Sequence, residues 1–310
     1  MNPPRGKILV IRGGAIGDFI LTLPAIAALR RQFPETHLEV LGYPHIVQLA
    51  LIGGLVDAVR SIEARSLAGF FARSGALSPE LAAYFAGFNV IVSYLYDPDR
   101  VFQTNVASCS RAQFIVGPHR PNERQRIHAT EVFLKPLERL AIFEADYLPR
   151  LVFDNQPQAD HCLALHPGSG SEAKNWPEAG WAELLQHLVN KTNLDLLLVG
   201  GEAEGGRLQR LAAALPPART WVAQSLPLTE LARQLRSCVA FVGHDSGISH
   251  LAAALGLPGL VLWGKSAQQI WRPQGEHIVI LKPTNSLATL GASQVFAELM
   301  SILDAIQSRR

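Results

Sequence analysis

The sequence predicts an α/β protein with two domains, each built around a mostly parallel sheet. Short aliphatic runs alternate with helical patterns along the chain, and this alternation is typical of repeated βα units. The pattern breaks at residues 144–158, a stretch with prolines and no sustained period, and then restarts. A chain of 310 residues is long for one core and suits two domains of ordinary size. We therefore expect a first domain, a linker and a second domain.

Five strands are predicted in the first half, each an aliphatic run between helical or polar segments: residues 7–11, 37–41, 58–62, 89–93 and 113–116. The clearest helix of this half is predicted over residues 128–143, where Val132, Leu137 and Leu140 recur at helical spacing. Pro136 lies inside this segment, so we expect the helix to kink there.

Six strands are predicted in the second half: residues 161–165, 194–199, 220–223, 239–242, 259–263 and 277–281. Two successive sets of βα units predict two Rossmann-like domains that face each other across a cleft. Such sheets bind ligands outside the carboxyl ends of their strands, so the loops that follow the strands are expected to line this cleft. The expected bounds are 1–155 for the first domain and 156–290 for the second. Residues 291–310 hold an amphipathic helix, over 292–306, which we expect to pack back on the first domain, the alternative being that it faces lipid.

Composition excludes several classes of protein. Hydrophobic residues make up 48% of the chain and charged residues 17%, as in a compact globular protein, and the net charge of +2 gives no reason to expect a nucleic-acid partner. The three cysteines lie far apart without metal-ligand spacing, so neither a disulfide nor a zinc site is expected. With no signal-like or membrane-spanning run, the sequence predicts a cytosolic protein, and peripheral contact with the inner face of the membrane stays open.

The segment from Gly243 to His250 is the most informative part of the chain. It follows an apolar run and opens a helical segment, so its first backbone N–H groups are expected to point outward, where they favour a phosphate. Asp245, Ser246 and His250 would surround that point. The alternative is that Asp245 or Ser246 only caps the helix and that His250 is packed in the core.

The loop after the first strand reads Arg-Gly-Gly-Ala-Ile-Gly-Asp and ends at Asp18. A dinucleotide-binding loop would have glycine where Arg12 stands, and a carboxylate at position 18 would repel a pyrophosphate. An NAD-dependent oxidoreductase is therefore the weakest of the open alternatives. Asp18 is instead suited to accept a proton from an attacking hydroxyl, the alternative being a plain capping role.

Two further loops carry polar groups at strand ends. The segment 166–177 combines small residues with hydroxyls and Lys174, a set that can hold an oxygen-rich anion. Glu202 follows Gly200 and Gly201, and a carboxylate there can accept hydrogen bonds from paired sugar hydroxyls. The alternative for Lys174 is a solvated lysine, and the alternative for Glu202 is a charge in the first turn of a helix.

A basic cluster in the first half is a candidate site for a phosphorylated or acidic ligand, although a solvated loop has the same composition. It sits against a single acidic residue, Glu123, and consists of Arg111, His119, Arg120, Arg124, Arg126 and His128.

Taken in chain order, four of these loops resemble glycosyltransferase family 9, the ADP-heptose:lipopolysaccharide heptosyltransferases. The motifs are Gly-x-Ile-Gly-Asp with Leu-Thr-Leu-Pro, His-Pro-Gly-Ser with Lys-x-Trp-Pro, Gly-Gly-x-x-Glu or its near variants, and Asp-Ser-Gly-x-Ser-His. The resemblance covers nearly the whole chain. It implies a GT-B fold whose N-terminal domain binds the acceptor and whose C-terminal domain binds the nucleotide sugar.

The resemblance also implies roles for individual residues. Asp18 matches the catalytic base of an inverting, metal-independent displacement that needs no cofactor beyond the ADP-sugar donor. The matched donor contacts are Ser169 and Lys174 for phosphate, Glu202 for ribose, Leu226 for adenine, and Asp245, Ser246, Gly247 and His250 for the diphosphate and sugar. The acceptor would be lipid-linked or an oligosaccharide of lipopolysaccharide core or another surface glycan, with Arg120, Arg124 and Arg126 as candidate contacts.

The chain departs from the family at residues 264–267, which read Gly-Lys-Ser-Ala where members often have Gly-Pro-Thr and an acidic residue. This departure leaves the donor sugar open, and the acceptor is not readable from the sequence. Two other functions on the same architecture stay open: a binding protein without catalysis, and a nucleotide-sugar epimerase.

Overall fold

The computed structural model describes residues 6–73, 75–153 and 161–308. The chain divides into two compact units, Met1–Leu148 and Pro149–Arg310. The domain boundary expected at residue 155 falls outside the described residues. The main chain of Leu151 donates to the carbonyl of Ala254 at 2.8 Å, which attaches the start of the second unit to its own core.

The described part of the first unit holds a parallel sheet of five strands in the order β3-β2-β1-β4-β5. The strands are β1 Lys7–Arg12, β2 His37–Gly42, β3 Ala58–Ser61, β4 Val90–Ser93 and β5 Gln113–Val116. The helices of this unit are α1 Ile16–Ile20, α2 Leu23–Gln32, α3 Pro44–Ile52, α4 Pro79–Ala86, α5 Val101–Cys109 and α6 Ala129–Leu134. The central strand β1 is buried after Lys7, as expected for a strand covered on both faces.

The described part of the second unit holds a parallel sheet of six strands in the order β11-β10-β9-β6-β7-β8. The strands are β6 Cys162–Leu165, β7 Asp195–Gly200, β8 Thr220–Gln224, β9 Cys238–His244, β10 Gly259–Leu262 and β11 Ile278–Leu281. The helices are α7 Glu178–Lys191, α8 Arg207–Ala213, α9 Leu228–Arg236, α10 Gly247–Ala254, α11 Gln268–Trp271 and α12 Ala292–Gln307.

Short 3-10 helices complete the two units at Arg65–Phe71, Glu123–Gln125, Lys135–Leu140, Glu172–Lys174, Glu202–Glu204, Pro217–Arg219 and Leu287–Thr289. One of them corrects a sequence-based prediction. The single helix expected over residues 128–143 is an α-helix only as far as Leu134 and continues as a 3-10 helix. The reason is Pro136, which has no N–H to donate to the carbonyl one turn earlier.

The predicted strands are confirmed, each within two residues of its expected bounds. The largest shift is in β9, which runs on to His244 because Gly243 and His244 pair with β10 at Val261 and Leu262. The helix that follows begins at Gly247 and includes His250.

The C-terminal helix α12 was expected to pack back on the first domain. Its buried residues Val295, Leu299 and Leu303 join the core of the second unit, beside Trp181 and Leu260, and packing on the first domain stays a prediction. The helix lies against α7, β9 and β10. These buried residues of its apolar face thus pack within the second unit.

Two of the free cysteines, Cys162 and Cys238, lie opposite each other on the neighbouring strands β6 and β9. Within the described ranges, no helix is long and apolar enough to cross a membrane.

Candidate active site

The second unit brings four loops to one edge of its sheet, three of which were predicted to carry donor contacts. The strands β10, β9, β6 and β7 are parallel neighbours, so the loops that follow their carboxyl ends are neighbours as well. Lys174 and Ser169 follow β6, Glu202 follows β7, Asp245 and Ser246 follow β9, and Ser266 follows β10.

Lys174 and Asp245 form the central ion pair of this edge. Lys174 Nζ donates to Asp245 Oδ2 at 2.7 Å. The aspartate is 8% exposed, whereas the lysine side chain is 41% exposed, so the pair presents its cation to the surface. Ser266 Oγ donates to the same carboxylate oxygen. Sequence reasoning had marked residues 264–267 only as a departure from the family, and it missed this contact.

Ser246 marks the beginning of α10. Its hydroxyl accepts from the main chain of Ser249 at 3.4 Å, and it lies 3.2 Å from Nδ1 of His166. Gly247 opens the helix and His250 is buried one turn further on. The first amides of α10 and the positive end of its dipole thus lie beside the Lys174 and Asp245 pair, a setting that favours an anion.

Ser169 is buried within its own loop. Its hydroxyl lies 2.8 Å from both the carbonyl of Ser171 and Oδ1 of Asn175. Asn175 donates to Glu172 at 2.7 Å, and Glu172 in turn pairs with Arg207 at the beginning of α8. The predicted phosphate contact is therefore a hydroxyl that orders the loop around Lys174.

The loop after β7 contains two glutamates with different surroundings. Glu202, the predicted ribose contact, is exposed. Glu204 is buried: its Oε2 accepts from the main chain of Gly201 at 2.5 Å, and its Oε1 lies 3.7 Å from Nε2 of His166. Sequence reasoning missed Glu204, although the spacing Gly-Gly-x-x-Glu places the motif's glutamate at position 204.

Two buried histidines lie beneath these loops. Burial lowers the pKa of His166 to about 3, with a further lowering from His244. Burial lowers the pKa of His244 to about 4, which the hydrogen bond to the Gly168 carbonyl partly opposes. Both rings are therefore neutral near pH 7, and sequence reasoning assigned a role to neither.

Leu226, the predicted adenine contact, is half-buried in the connection between β8 and α9. It follows Ser225, which has a φ of 53° and so turns the chain sharply at the end of β8. This position puts Leu226 at the same edge of the sheet as Glu202, one strand further out.

In the first unit, Asp18 lies at the third residue of α1. Its Oδ2 accepts from the main chain of Ala15 at 3.1 Å, and its Oδ1 lies 3.6 Å from Nη2 of Arg12. The Asp18 side chain is 32% exposed, whereas that of Arg12 is 2% exposed. The carboxylate is thus oriented from two sides and stays open to a ligand.

Arg12 was noted in the sequence only because it stands where a dinucleotide-binding loop would have a glycine. Its guanidinium donates to the carbonyls of His119 at 2.9 Å and Asp18 at 3.3 Å and lies 4.5 Å from the centre of the Phe133 ring. Burial lowers the pKa of Arg12 from its ordinary value, and Asp18 opposes that shift. The guanidinium therefore ties the loops after β1 and β5 together.

The basic cluster is divided by β5. Arg111 precedes that strand, whereas Arg120, Arg124 and Arg126 follow it and are exposed. Arg120 Nη2 donates to Glu123 at 3.1 Å, and His128 is buried as the cap of α6. The three arginines share the carboxyl edge of the first sheet with Asp18, and Arg111 does not.

Within the described ranges, no group of three or more histidine, cysteine, aspartate or glutamate side chains is arranged to hold a metal ion.

A parallel sheet with an ion pair and a helix N-terminus at its carboxyl edge is typical of α/β proteins that bind nucleotides. The family model of glycosyltransferase family 9 (heptosyltransferase) matches residues 138–299, more than half of the chain. The chain belongs to this family, as the motifs predicted.

Two curated relatives and one solved structure illustrate the similarity. Lipopolysaccharide heptosyltransferase 1 of Salmonella typhimurium is 35% identical over 141 residues, 45% of this chain and 43% of the relative. The chain thus spans less than half the length of that relative. Lipopolysaccharide heptosyltransferase 3 of Escherichia coli is 22% identical over 293 residues, 85% of this chain and 84% of the relative.

The solved structure is that of an E. coli heptosyltransferase with ADP-2-deoxy-2-fluoro heptose. It matches with a TM-score of 0.74 at 20% identity and covers 95% of this chain and 99% of its own. This similarity confirms the GT-B fold.

Proposed function

We propose that this protein transfers heptose, or a related sugar, from an ADP-activated donor to the core of lipopolysaccharide or to another surface glycan. Membership of glycosyltransferase family 9 supports the reaction class. The relatives named as lipopolysaccharide heptosyltransferases support the acceptor class. The similar structure solved with an ADP-heptose analogue supports the donor.

The observation that carries the proposal is the pairing of Lys174 with Asp245 beside the first amides of α10. Breaking the bond between sugar and diphosphate leaves negative charge on ADP. A partly exposed ammonium and a helix N-terminus placed at that charge stabilise the transition state more than the ground state. Ser169, Glu202, Leu226, Ser246, Gly247 and His250 complete the proposed donor site.

Asp18 is the proposed general base. Its carboxylate would accept the proton of the acceptor hydroxyl while the oxygen attacks the anomeric carbon and ADP leaves, which inverts the configuration in a single displacement. The contacts from Ala15 and Arg12 fix the direction of the carboxylate, which reduces the cost of reaching the reactive geometry. Arg120, Arg124 and Arg126 are the proposed contacts for an anionic acceptor.

The reaction is proposed to need no metal, because Lys174 and α10 supply the positive field at the diphosphate. Activity should then persist in EDTA. Restoration of an EDTA-inhibited enzyme by a divalent ion would contradict this part of the proposal. We place the reaction on the cytosolic side of the membrane, where a nucleotide-sugar donor is available, with peripheral contact to the inner membrane surface.

The first experiment measures thermal stabilisation by ADP, ADP-heptose, UDP, GDP and NAD. A ligand at about 100 times its Kd adds roughly 2.7 kcal/mol to the stability of the folded state. Stabilisation by ADP and ADP-heptose alone is the expected result. A response to UDP or GDP would change the donor, and a response to NAD would overturn the interpretation of Asp18.

The second experiment compares Asp18→Asn with Asp304→Asn, a matched change at an exposed position of α12. The Asp18→Asn change should reduce transfer at least 100-fold and leave ADP affinity within a few-fold, because general base catalysis contributes about 10²- to 10⁴-fold. The Asp304 variant should behave as the wild type. Full turnover by the Asp18 variant would remove it as the base.

The same assays separate the alternative functions. Binding of ADP without transfer to any acceptor tested favours a non-catalytic protein, and conversion of the donor without an acceptor favours an epimerase.

A further inference from the structure

The loop that carries Ser169 and Lys174 is attached at both of its ends to one buried side chain, that of His244. Nε2 of His244 accepts from the main chain of Trp176 at 2.9 Å. Nδ1 of the same ring lies 3.1 Å from the carbonyl of Gly168, to which it donates. The loop between Gly168 and Trp176 thus closes on a single imidazole.

We propose that His244 is a positioning residue for the donor diphosphate: its ring closes the loop between Gly168 and Trp176 and so sets where Lys174 stands. This inference deepens the proposed function and rests on it for the identity of the ligand. His244 touches neither donor nor acceptor in this proposal. It acts through the loop.

The two hydrogen bonds require one chemical form of the ring. Nδ1 must carry the proton to donate to a carbonyl, and Nε2 must have a free lone pair to accept from an amide. A protonated ring has no acceptor, and the other neutral tautomer reverses both roles. The geometry therefore assigns the neutral Nδ1–H tautomer to His244, and burial favours the neutral form.

The ring is itself held in place. His244 is the last residue of β9 and is fully buried. Its carbonyl accepts from Ser249 Oγ, and its ring packs edge-on against Trp181, with centroids 5.4 Å apart. The anchor of the loop is thereby fixed to the central strand and to the first turn of α10.

The next residue in the chain connects this anchor to the cation. Asp245 follows His244 directly and binds Lys174 Nζ at 2.7 Å. The loop is therefore fixed to two adjacent residues of the same strand end, through the main chain at His244 and through the ammonium at Asp245. Lys174 is held at a set position relative to the amides of α10.

An apolar ring could fill the same volume, but it would leave the Trp176 amide and the Gly168 carbonyl without their partner. Such unpaired groups favour a displaced loop. Glutamine offers both an N–H donor and an oxygen acceptor, so it can restore part of the closure.

The test compares His244→Phe and His244→Gln with His161→Gln, an exposed histidine at the opposite, amino-terminal end of β6. Isothermal titration with ADP and steady-state kinetics with ADP-heptose are the measurements. The Phe variant should raise the Kd for ADP and the donor KM at least tenfold and leave the acceptor KM within twofold. The Kd for ADP and the donor KM of the Gln variant should lie between those of the Phe variant and the wild type. Both values for His161→Gln should match the wild type.

A folded His244→Phe protein with the wild-type donor KM would overturn the inference, as would equal changes in donor and acceptor KM. If the Phe variant does not fold, the tautomer of His244 can still be measured in the wild-type protein. Two-bond ¹H–¹⁵N spectra of the imidazole should show a protonated Nδ1 and an unprotonated Nε2, and the opposite tautomer would overturn the inference. Wild-type protein that binds no ADP would contradict the proposed function, and the spectra would still test the closure of the loop.

Discussion

The carboxylate of Asp18 lies 3.6 Å from the guanidinium of Arg12, six residues earlier in the chain. The same guanidinium donates to the carbonyl of His119. A single buried cation therefore orients the proposed base and fixes the loop that leads to the proposed acceptor arginines. Its position at the end of the central strand β1 makes both contacts available.

Replacing Arg12 by Met should lower both stability and turnover. The change leaves the carbonyl of His119 without a buried donor, which costs about 1–3 kcal/mol. It also frees the Asp18 carboxylate to rotate, so kcat should fall more than the affinity for ADP. Denaturant unfolding and steady-state kinetics measure the two effects.

Arg30→Met is the matched control, because Arg30 also donates to main-chain carbonyls and pairs with Asp57, away from Asp18. It should lose stability and retain kcat. A similar loss of kcat in both variants would mean that Arg12 acts only through the stability of the first unit.

Replacing Lys174 by Met should weaken ADP binding about 10- to 100-fold, since hydrogen bonds to charged groups are worth about 1.5–3 kcal/mol. Titration calorimetry measures the change. Lys191→Met, at the end of α7, removes an equal charge from the same unit and should leave the affinity unchanged. Equal losses in the two variants would indicate a general effect of net charge.

Gly168→Ala should be destabilising, whereas Gly170→Ala, two residues away, should be nearly neutral. A methyl group on Gly168 would overlap Oε1 of Glu204. At Gly170, a methyl group would meet no heavy atom of the described residues within 4 Å. Overpacking of this kind costs about 1–3 kcal/mol, against about 0.5 kcal/mol or less for a surface change. The difference in Tm between the two variants tests the close packing of the loops after β6 and β7.

The stability of the second unit should fall as the pH drops from about 6.5 towards 4. The pKa values of His166 and His244 are lowered from 6.5 to about 3 and about 4. In this window the unfolded chain binds protons that the folded state does not, so the free energy of unfolding increases with pH. Each histidine contributes a slope of up to about 1.4 kcal/mol per pH unit, and the contribution is complete above about pH 6.5.

Denaturant unfolding between about pH 4.5 and 7.5 measures this slope, since the window brackets the ordinary pKa of histidine. The His244→Gln variant should show a shallower dependence, because glutamine does not titrate. An unchanged slope would mean that the loss has another origin.

The strand pattern could be predicted closely because buried parallel strands are continuous aliphatic runs, which a sequence displays directly. The helix around Pro136 was partly wrong, since local spacing does not show how a helix continues when an amide is missing. The packing of α12 on the first domain stays a prediction, because an amphipathic pattern identifies an apolar face and not its neighbour.

The residues of the candidate site also divide into those that the sequence predicted and those that it missed. Lys174, Asp245 and Asp18 could be chosen because each lies in a segment that follows the carboxyl end of a strand. Parallel strands bring such segments to one edge of their own sheet. Arg12, Glu204, Ser266 and His244 were missed as functional groups, because their roles depend on partners that are distant in sequence. The Lys174 to Asp245 pair spans 71 residues, and that between His244 and Gly168 spans 76.

The sequence by itself determined the α/β class, the order of the strands along the chain, the family and most of the proposed donor residues, because these depend on local periodicity and on short motifs. Only the tertiary structure decided which groups meet: the buried Arg12 with the carbonyl of His119, the buried Glu204 with His166, and the single imidazole that closes the loop around Lys174. The physical reason is that hydrogen bonds and ion pairs act over about 3–4 Å, and only the pairing of strands brings residues so distant in sequence within that range.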